Sequence, residues 1–139
     1  MKRHILILAG LPAALLAAAS GAQAQAPAPA ADGKILFAKN CAACHQANGR
    51  GIPGAFPALA GSAVINGAPA DAAAVLLKGR GGMPDFSASM DDAEIAEVLS
   101  YARNSWGNRA APVSSPEIEA QRVALQVPPA SRSRFGNKH

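Results

Sequence analysis

The sequence predicts an all-α fold in which three to four helices and long loops surround one cofactor. Apolar residues recur at helical spacing in segments that also carry helix caps. No stretch alternates apolar and polar residues over enough length to indicate a strand. The third observation is the run Cys41-Ala42-Ala43-Cys44-His45, because C-x-x-C-H is typical of covalent haem attachment.

The first 24 residues have the composition of a secretory signal peptide. Met1-Lys2-Arg3 is positively charged, residues 5–19 are apolar, and Ala22-Gln23-Ala24 fits a small-x-small cleavage site. The apolar stretch is short and contains Pro12, which favours a cleaved signal over a membrane anchor. We therefore expect cleavage after Ala24 and export to the periplasm.

Size and charge narrow the class of protein further. The 115 residues after the predicted signal peptide suffice for one small domain. Aromatic residues make up only 4% of the chain, so a large flat cofactor would supply buried apolar surface that they provide elsewhere. Without Lys2 and Arg3, 11 basic and nine acidic side chains remain, and this near balance does not indicate a nucleic-acid partner.

The ordered domain is expected to span residues 32–108, after an Ala/Pro linker at residues 25–31. Asp32 can cap a helix over residues 33–38, which leads directly into Cys41. Glycine and proline then recur from residue 49 to residue 61. This punctuation predicts a loop that wraps the edge of the haem.

Two further helices complete the predicted haem domain. The first covers residues 71–78 and stops at a glycine. The second has Asp91 as its N-cap and Glu94 in the capping-box position. Its apolar spacing continues to Trp106, and Gly107 is the predicted stop.

A C-terminal extension follows over residues 109–126. Ser115-Pro116 can open a short helix there, because proline suits the first helical turn. Residues 127–139 show no apolar period and are expected to form a flexible tail. The last acidic residue, Glu119, is followed by the basic residues Arg122, Arg132, Arg134 and Lys138. We expect this basic tail to be solvated, with contact to an acidic partner or anionic lipid as the alternative.

The C-x-x-C-H run has structural alternatives. A thioredoxin-like redox pair is typical of alternating strands and helices, and this sequence predicts no strand. A zinc site needs four ligands, but the other histidines, His4 and His139, lie near the chain ends. A plain disulfide remains an alternative, although it would leave His45 unexplained. In haem attachment, the sulfurs of Cys41 and Cys44 bind the two vinyl groups, and His45 binds the iron.

Met83 is the candidate for the sixth iron ligand. Glycines before it let the backbone approach a porphyrin, and Pro84 keeps it out of helical geometry. A thioether is a soft ligand that suits both oxidation states of iron and raises its reduction potential. Met90 competes, but its place before the Asp91 cap favours a packing role as a hydrophobic staple. Core packing of Met83 is the other interpretation.

Four segments together resemble a monohaem class I cytochrome c. They are Cys41 to Gln46, Phe56-Pro57-Ala58-Leu59-Ala60-Gly61, Gly82-Met83-Pro84-Asp85-Phe86, and Asp91 to Asn108. The last segment resembles the final helix of haem domains in bacterial alcohol dehydrogenase cytochrome subunits and related small periplasmic cytochromes. Those subunits carry several haem motifs, whereas this chain carries one.

The resemblance implies the cytochrome c fold and one covalent haem c with its iron. It also implies that the first and last helices of the haem domain cross, so that Gly33 and Phe37 meet the region of Tyr101. The Pro57 carbonyl would then accept a hydrogen bond from the proximal imidazole, fixing the orientation of the His45 ring.

The expected function is electron transfer, not enzymatic catalysis. Iron bound by both His45 and Met83 has no open position for a substrate. We expect a periplasmic one-electron carrier between a dehydrogenase or quinol-oxidising complex and a terminal oxidase or reductase. A permanent subunit of a periplasmic dehydrogenase is the first alternative, and a haem gas sensor or weak peroxidase is the second. Contact with a membrane is expected only through the basic tail.

Overall fold

The computed structural model describes residues 32–130 of the 139-residue chain. The predicted signal peptide, the linker at residues 25–31 and the tail beyond residue 130 lie outside the described residues. The described residues form six helices: α1 (Gly33–Asn40), α2 (Ala42–His45), α3 (Ala63–Asn66), α4 (Pro69–Lys78), α5 (Asp92–Arg103) and α6 (Ser115–Ala124). This range contains only two isolated bridges, Ile52 to Phe56 and Arg80 to Met83, and no strand. The predicted all-α class is confirmed.

Helices α1 and α5 cross at Gly33. A Cβ atom there would overlap the Glu97 carbonyl oxygen and lie 2.9 Å from the Tyr101 Cβ, so the close approach requires glycine. One turn later the Phe37 ring packs against Tyr101 at a centroid distance of 5.6 Å and against Trp106 at 4.9 Å. The crossing that the resemblance implied is therefore present.

The predicted caps form, and they fix where the helices begin. The Asp32 carboxylate accepts a hydrogen bond from the Lys34 N–H at 2.9 Å. At α5, Asp91 accepts from the Glu94 N–H at 2.9 Å while the Glu94 carboxylate accepts from the Asp91 N–H at 3.0 Å. Met90 is 2% exposed and belongs to the same core cluster as Ile95, four residues into the helix, as expected of a hydrophobic staple.

Helix α5 ends three residues before the predicted end at Trp106. Trp106 has a φ of 55°, which no α-helix accommodates. Its ring folds back onto Phe37, and its indole N–H donates to the Ala47 carbonyl at 3.1 Å. A tertiary contact thus overrides the helical spacing, and Gly107 is not the stop.

The other differences concern short or terminal turns. Helix α4 begins at Pro69, because proline fits the first turn, and it ends at Gly79 with a φ of 69° as predicted. The one-turn helices α2 and α3 raise the count among the described residues above the predicted three to four. Helix α6 ends at Ala124, two residues before the end of the predicted C-terminal extension at residue 126. No helix within residues 32–130 is long and apolar enough to cross a membrane.

The C-terminal extension is part of the folded core. Ile118 of α6 is fully buried, and α6 packs against both α4 and α5. Arg122 is 4% exposed and pairs with Asp92 at 2.7 Å, so the assignment of this residue to a solvated basic tail is wrong. The first residues of the predicted tail are also held, because the Val127 N–H donates to the Arg122 carbonyl and the Pro128 carbonyl accepts from the Arg122 side chain.

Candidate functional site

All four predicted site residues line one mainly apolar cavity. Its volume is about 280 Å³, and Cys41, Cys44, His45 and Met83 all line it. The apolar part of the wall includes Phe37, Leu59, Val64, Ile65, Leu76, Phe86, Val98 and Leu99. Arg80 is the only lysine or arginine in the lining. Apolar walls with a few converging polar groups are typical of cofactor sites.

Helix α2 places the predicted haem-attachment residues on one side of a single turn. Cys41 precedes the helix, and Cys44 and His45 follow Cys41 by three and four residues, which is the spacing of neighbours on a helical face. The His45 backbone N–H donates to the Cys41 carbonyl at 2.9 Å and closes the turn. Gln46, with a φ of 62°, then ends the helix. Two thiols and one imidazole therefore reach the same cavity.

The His45 ring is held in one tautomer. Its Nδ1 lies 2.9 Å from the Pro57 carbonyl oxygen. Because a carbonyl can only accept, Nδ1 carries the hydrogen, and the lone pair on Nε2 is left for a metal. This contact confirms the role that the resemblance implied for Pro57. A hydrogen bond of this kind orients a ligating imidazole and raises its basicity.

The loop that contains Pro57 is itself anchored. The Leu59 and Ala60 N–H groups both donate to the Gly49 carbonyl, at 2.8 and 3.0 Å. Gly49 has a φ of 68°, and a Cβ there would overlap the ring of Trp106. The loop therefore depends on glycine at this position for two separate reasons.

Asn108 does not line the cavity but supports the loop beside His45, a role that sequence reasoning missed. It is 4% exposed, and its amide donates to the carbonyls of Leu59 at 3.0 Å and Ala102 at 2.8 Å. Its Oδ1 accepts from the Gly61 N–H and from the Asn66 amide, both at 2.8 Å. Asn108 thus ties the loop beside His45 to α3 and α5. No local pattern signals this role, because three of its four partners lie more than 40 residues away.

The cysteines are free thiols, and the alternative of a plain disulfide is not formed. Burial raises the pKa of Cys41 to about 11, and the neighbouring Cys44 adds to the rise. Before haem is attached, Cys41 is therefore a neutral thiol at neutral pH. The residues from 32 to 130 include no cluster of three or more His, Cys, Asp or Glu that could hold a metal ion, so a zinc site has no ligand set there.

Met83 reaches the cavity from a tight loop after α4. Its N–H donates to the Arg80 carbonyl at 3.1 Å, and its own carbonyl accepts from the Arg80 N–H at 3.2 Å. A Cβ at Gly79 would lie 2.6 Å from the Met83 carbonyl oxygen, so this glycine serves the fold of the loop itself. The Phe86 N–H donates to the Leu76 carbonyl at 2.8 Å and attaches the end of the loop to α4.

The donor set and the walls fit a covalently bound haem. Two cysteines can form the thioethers, His45 presents Nε2, and Met83 supplies a soft sulfur, all within apolar walls. Fold and site together therefore define a small domain that attaches one haem through a C-x-x-C-H turn.

Sequence comparison places this domain in a family. The protein-family model described as "Cytochrome C oxidase, cbb3-type, subunit III" matches residues 28–101, which are more than half of the chain. The chain belongs to this family of cytochrome c domains. Its cofactor is one covalent haem c, and it is an electron-transfer protein.

Three relatives show how the domain occurs in other proteins. Cytochrome c-552 of Thermus thermophilus is 33% identical, over 78% of this chain and 99% of that protein. Cytochrome c6 of Leptolyngbya boryana is 37% identical, over 53% of this chain and 89% of that protein. The cytochrome c subunit of the quinone alcohol dehydrogenase of Gluconacetobacter polyoxogenes is 34% identical over 66% of this chain, but over only 21% of its own length.

Proposed function

We propose that this chain is a periplasmic one-electron carrier whose haem iron is bound by His45 and Met83. The observation that carries the proposal is that both side chains line one apolar cavity, with His45 held by Pro57 so that Nε2 is free for a metal. When bound, the haem supplies an iron that changes oxidation state by one electron. The surrounding residues would control which ligands reach the iron and would set its reduction potential.

The protein's contribution is to close the site and set its potential. His45 and Met83 would both bind the iron and would leave no open coordination position for oxygen or substrates. The apolar walls keep water away and disfavour the more highly charged oxidised form, while the thioether of Met83 acts in the same direction. The Pro57 carbonyl holds the imidazole at a fixed angle, which limits reorganisation during electron transfer.

A free carrier is the preferred form, with a permanent subunit as the second candidate. The match to cytochrome c-552 covers nearly all of that protein, which supports a domain that works alone. The match to an alcohol dehydrogenase cytochrome subunit supports a role inside a periplasmic dehydrogenase. We propose a dehydrogenase or quinol-oxidising complex as electron donor and an oxidase or reductase as acceptor. Co-purification at native concentration distinguishes the two forms, because only a permanent subunit stays with its enzyme.

The test of the ligand assignment compares two methionines that differ in place but not in chemistry. Met83→Leu removes the sulfur and keeps most of the side-chain volume, and Met90→Leu is the matched control in the core. We expect Met83→Leu to abolish the far-red sulfur-to-iron band of the ferric protein, to lower the reduction potential and to allow binding of carbon monoxide. Met90→Leu should change none of these. Retention of the band in Met83→Leu would reject the assignment.

A further inference from the structure

Arg122 is a buried guanidinium in which each nitrogen donates at least one hydrogen bond. Its Nε donates to the Asp92 carboxylate at 2.7 Å. Its Nη1 donates to the carbonyls of Ser87 at 3.0 Å and Pro128 at 2.8 Å, and its Nη2 to the carbonyl of Met90 at 3.4 Å. Ordering and desolvating such a side chain is unfavourable unless its donors are satisfied, as they are here.

Three of the four groups that accept hydrogen bonds from Arg122 lie close together in the chain. Ser87 and Met90 lie in the turn that joins the Met83 loop to α5, and Asp92 lies in the first turn of α5. The other hydrogen bonds of this turn are short-range. The Ser87 hydroxyl donates to the Asp85 carboxylate at 2.7 Å, groups of the turn donate to the Phe86 carbonyl, and the capping box forms at Asp91. Arg122 supplies the hydrogen bonds that connect the turn to α6.

We propose that Arg122 is a positioning residue for Met83. Its hydrogen bonds hold the Ser87–Met90 turn in place. This turn fixes the end of the loop that presents Met83 to the cavity. The inference rests on the proposed function, because it requires Met83 to bind the iron. In this proposal, the C-terminal extension and the residues that follow it, up to residue 130, support the loop that carries Met83.

A weak iron–sulfur bond depends on a fixed loop. The thioether of Met83 competes with any small ligand that can reach the iron, so loop freedom shifts that competition. Removing the guanidinium deprives the Met90 and Ser87 carbonyls of donors and leaves Asp92 without its cation. We expect the loop to give up these bonds when Met83 withdraws from the iron, so their removal favours withdrawal.

Arg103 provides a matched control. It is 3% exposed and likewise donates to three carbonyls, those of Ile65 at 2.7 Å, Gly67 at 3.0 Å and Ala111 at 2.7 Å. None of these acceptors lies between Met83 and Asp92. A substitution of Arg103 therefore removes a comparable buried network and leaves the Met83 loop in place.

The experiment measures binding of imidazole to the ferric holoprotein through loss of the far-red band. Urea unfolding of the same samples reports global stability. We expect Arg122→Gln to raise the apparent affinity for imidazole about tenfold, the equivalent of one lost charge-assisted hydrogen bond. Arg103→Gln should lower stability to a similar extent and leave the affinity within about twofold of wild type. Arg122→Lys keeps the charge with fewer donors, and it should give a smaller rise, so the test remains open if Arg122→Gln fails to fold.

Equal affinities in the Arg122 and Arg103 variants would overturn the inference and leave the ligand assignment intact. A wild-type ferric protein without the far-red band would instead overturn the ligand assignment, and the inference with it. The two failures are thus distinguishable in one set of spectra.

Discussion

Replacement of Asn108 by alanine tests whether one buried amide holds the loop beside His45. Asn108 joins four groups in three parts of the chain: the Leu59 carbonyl, the Ala102 carbonyl, the Gly61 N–H and the Asn66 amide. We expect Asn108→Ala to destabilise the protein strongly, because alanine replaces none of these bonds and water has little access to the site.

The magnitude follows from the surroundings of each partner. The bond to the Ala102 carbonyl is buried, and its loss costs about 1.5–2 kcal/mol. The Leu59 carbonyl and the Gly61 N–H are partly buried and contribute about 1 kcal/mol each. Asn66 is exposed and regains water, so it adds little. The total is about 3.5–4 kcal/mol, a large fraction of the ~5–15 kcal/mol typical of a domain.

Urea unfolding of the holoprotein, followed by circular dichroism, measures this loss. Asn104→Ala is the matched control, since Asn104 is an exposed asparagine whose amide bonds only to the Ser100 carbonyl, at 3.1 Å. Its substitution should cost about 0.5 kcal/mol or less. An Asn108→Ala protein within about 1 kcal/mol of the Asn104→Ala protein would refute the role of Asn108 as a structural hub.

Three further predictions follow from single contacts. Gly33→Ala should lower the free energy of unfolding by about 1–3 kcal/mol, despite the better helix propensity of alanine, because its Cβ would overlap the backbone of α5; equal or greater stability in urea would contradict the crossing. The hydroxyl and N–H of Ser114 hold the pKa of Glu117 below its usual value, so its contribution is present above the ordinary pKa and is lost as the pH falls through the folded value. The stability difference between wild type and Glu117→Gln should therefore vanish in acid, and a difference independent of pH would exclude this linkage. Double substitution of Cys41 and Cys44 by alanine should let acid–acetone extract the haem, which must stay with the wild-type polypeptide.

Local signals made much of the fold predictable. The caps at Asp32 and Asp91, the stop at Gly79 and the opening of α6 by Pro116 each depend on residues within one turn of the helix end. The attachment turn is equally local, because its two cysteines and its histidine fall within five residues. Such features can be predicted from the sequence without knowledge of the rest of the fold.

The misses have a common physical origin in long-range contacts. Trp106 leaves the helical path to reach Phe37 and Ala47, which lie about 60 or more residues earlier. Arg122 was predicted to belong to a solvated tail, because the sequence around it shows only its charge. Its burial depends on acceptors about 30 or more residues away. Asn108 carried no local signal for the same reason. Polar residues that bridge distant segments require the folded structure for their assignment.

Carbon monoxide binding by the ferrous wild-type holoprotein tests the central claim most directly. With both His45 and Met83 on the iron, a one-electron carrier should have no open coordination position. At neutral pH the absorption spectrum of the reduced protein should therefore be the same before and after mixing with carbon monoxide. Prompt formation of a carbon monoxide adduct would contradict the claim, because an open iron is the property of a gas sensor or a peroxidase.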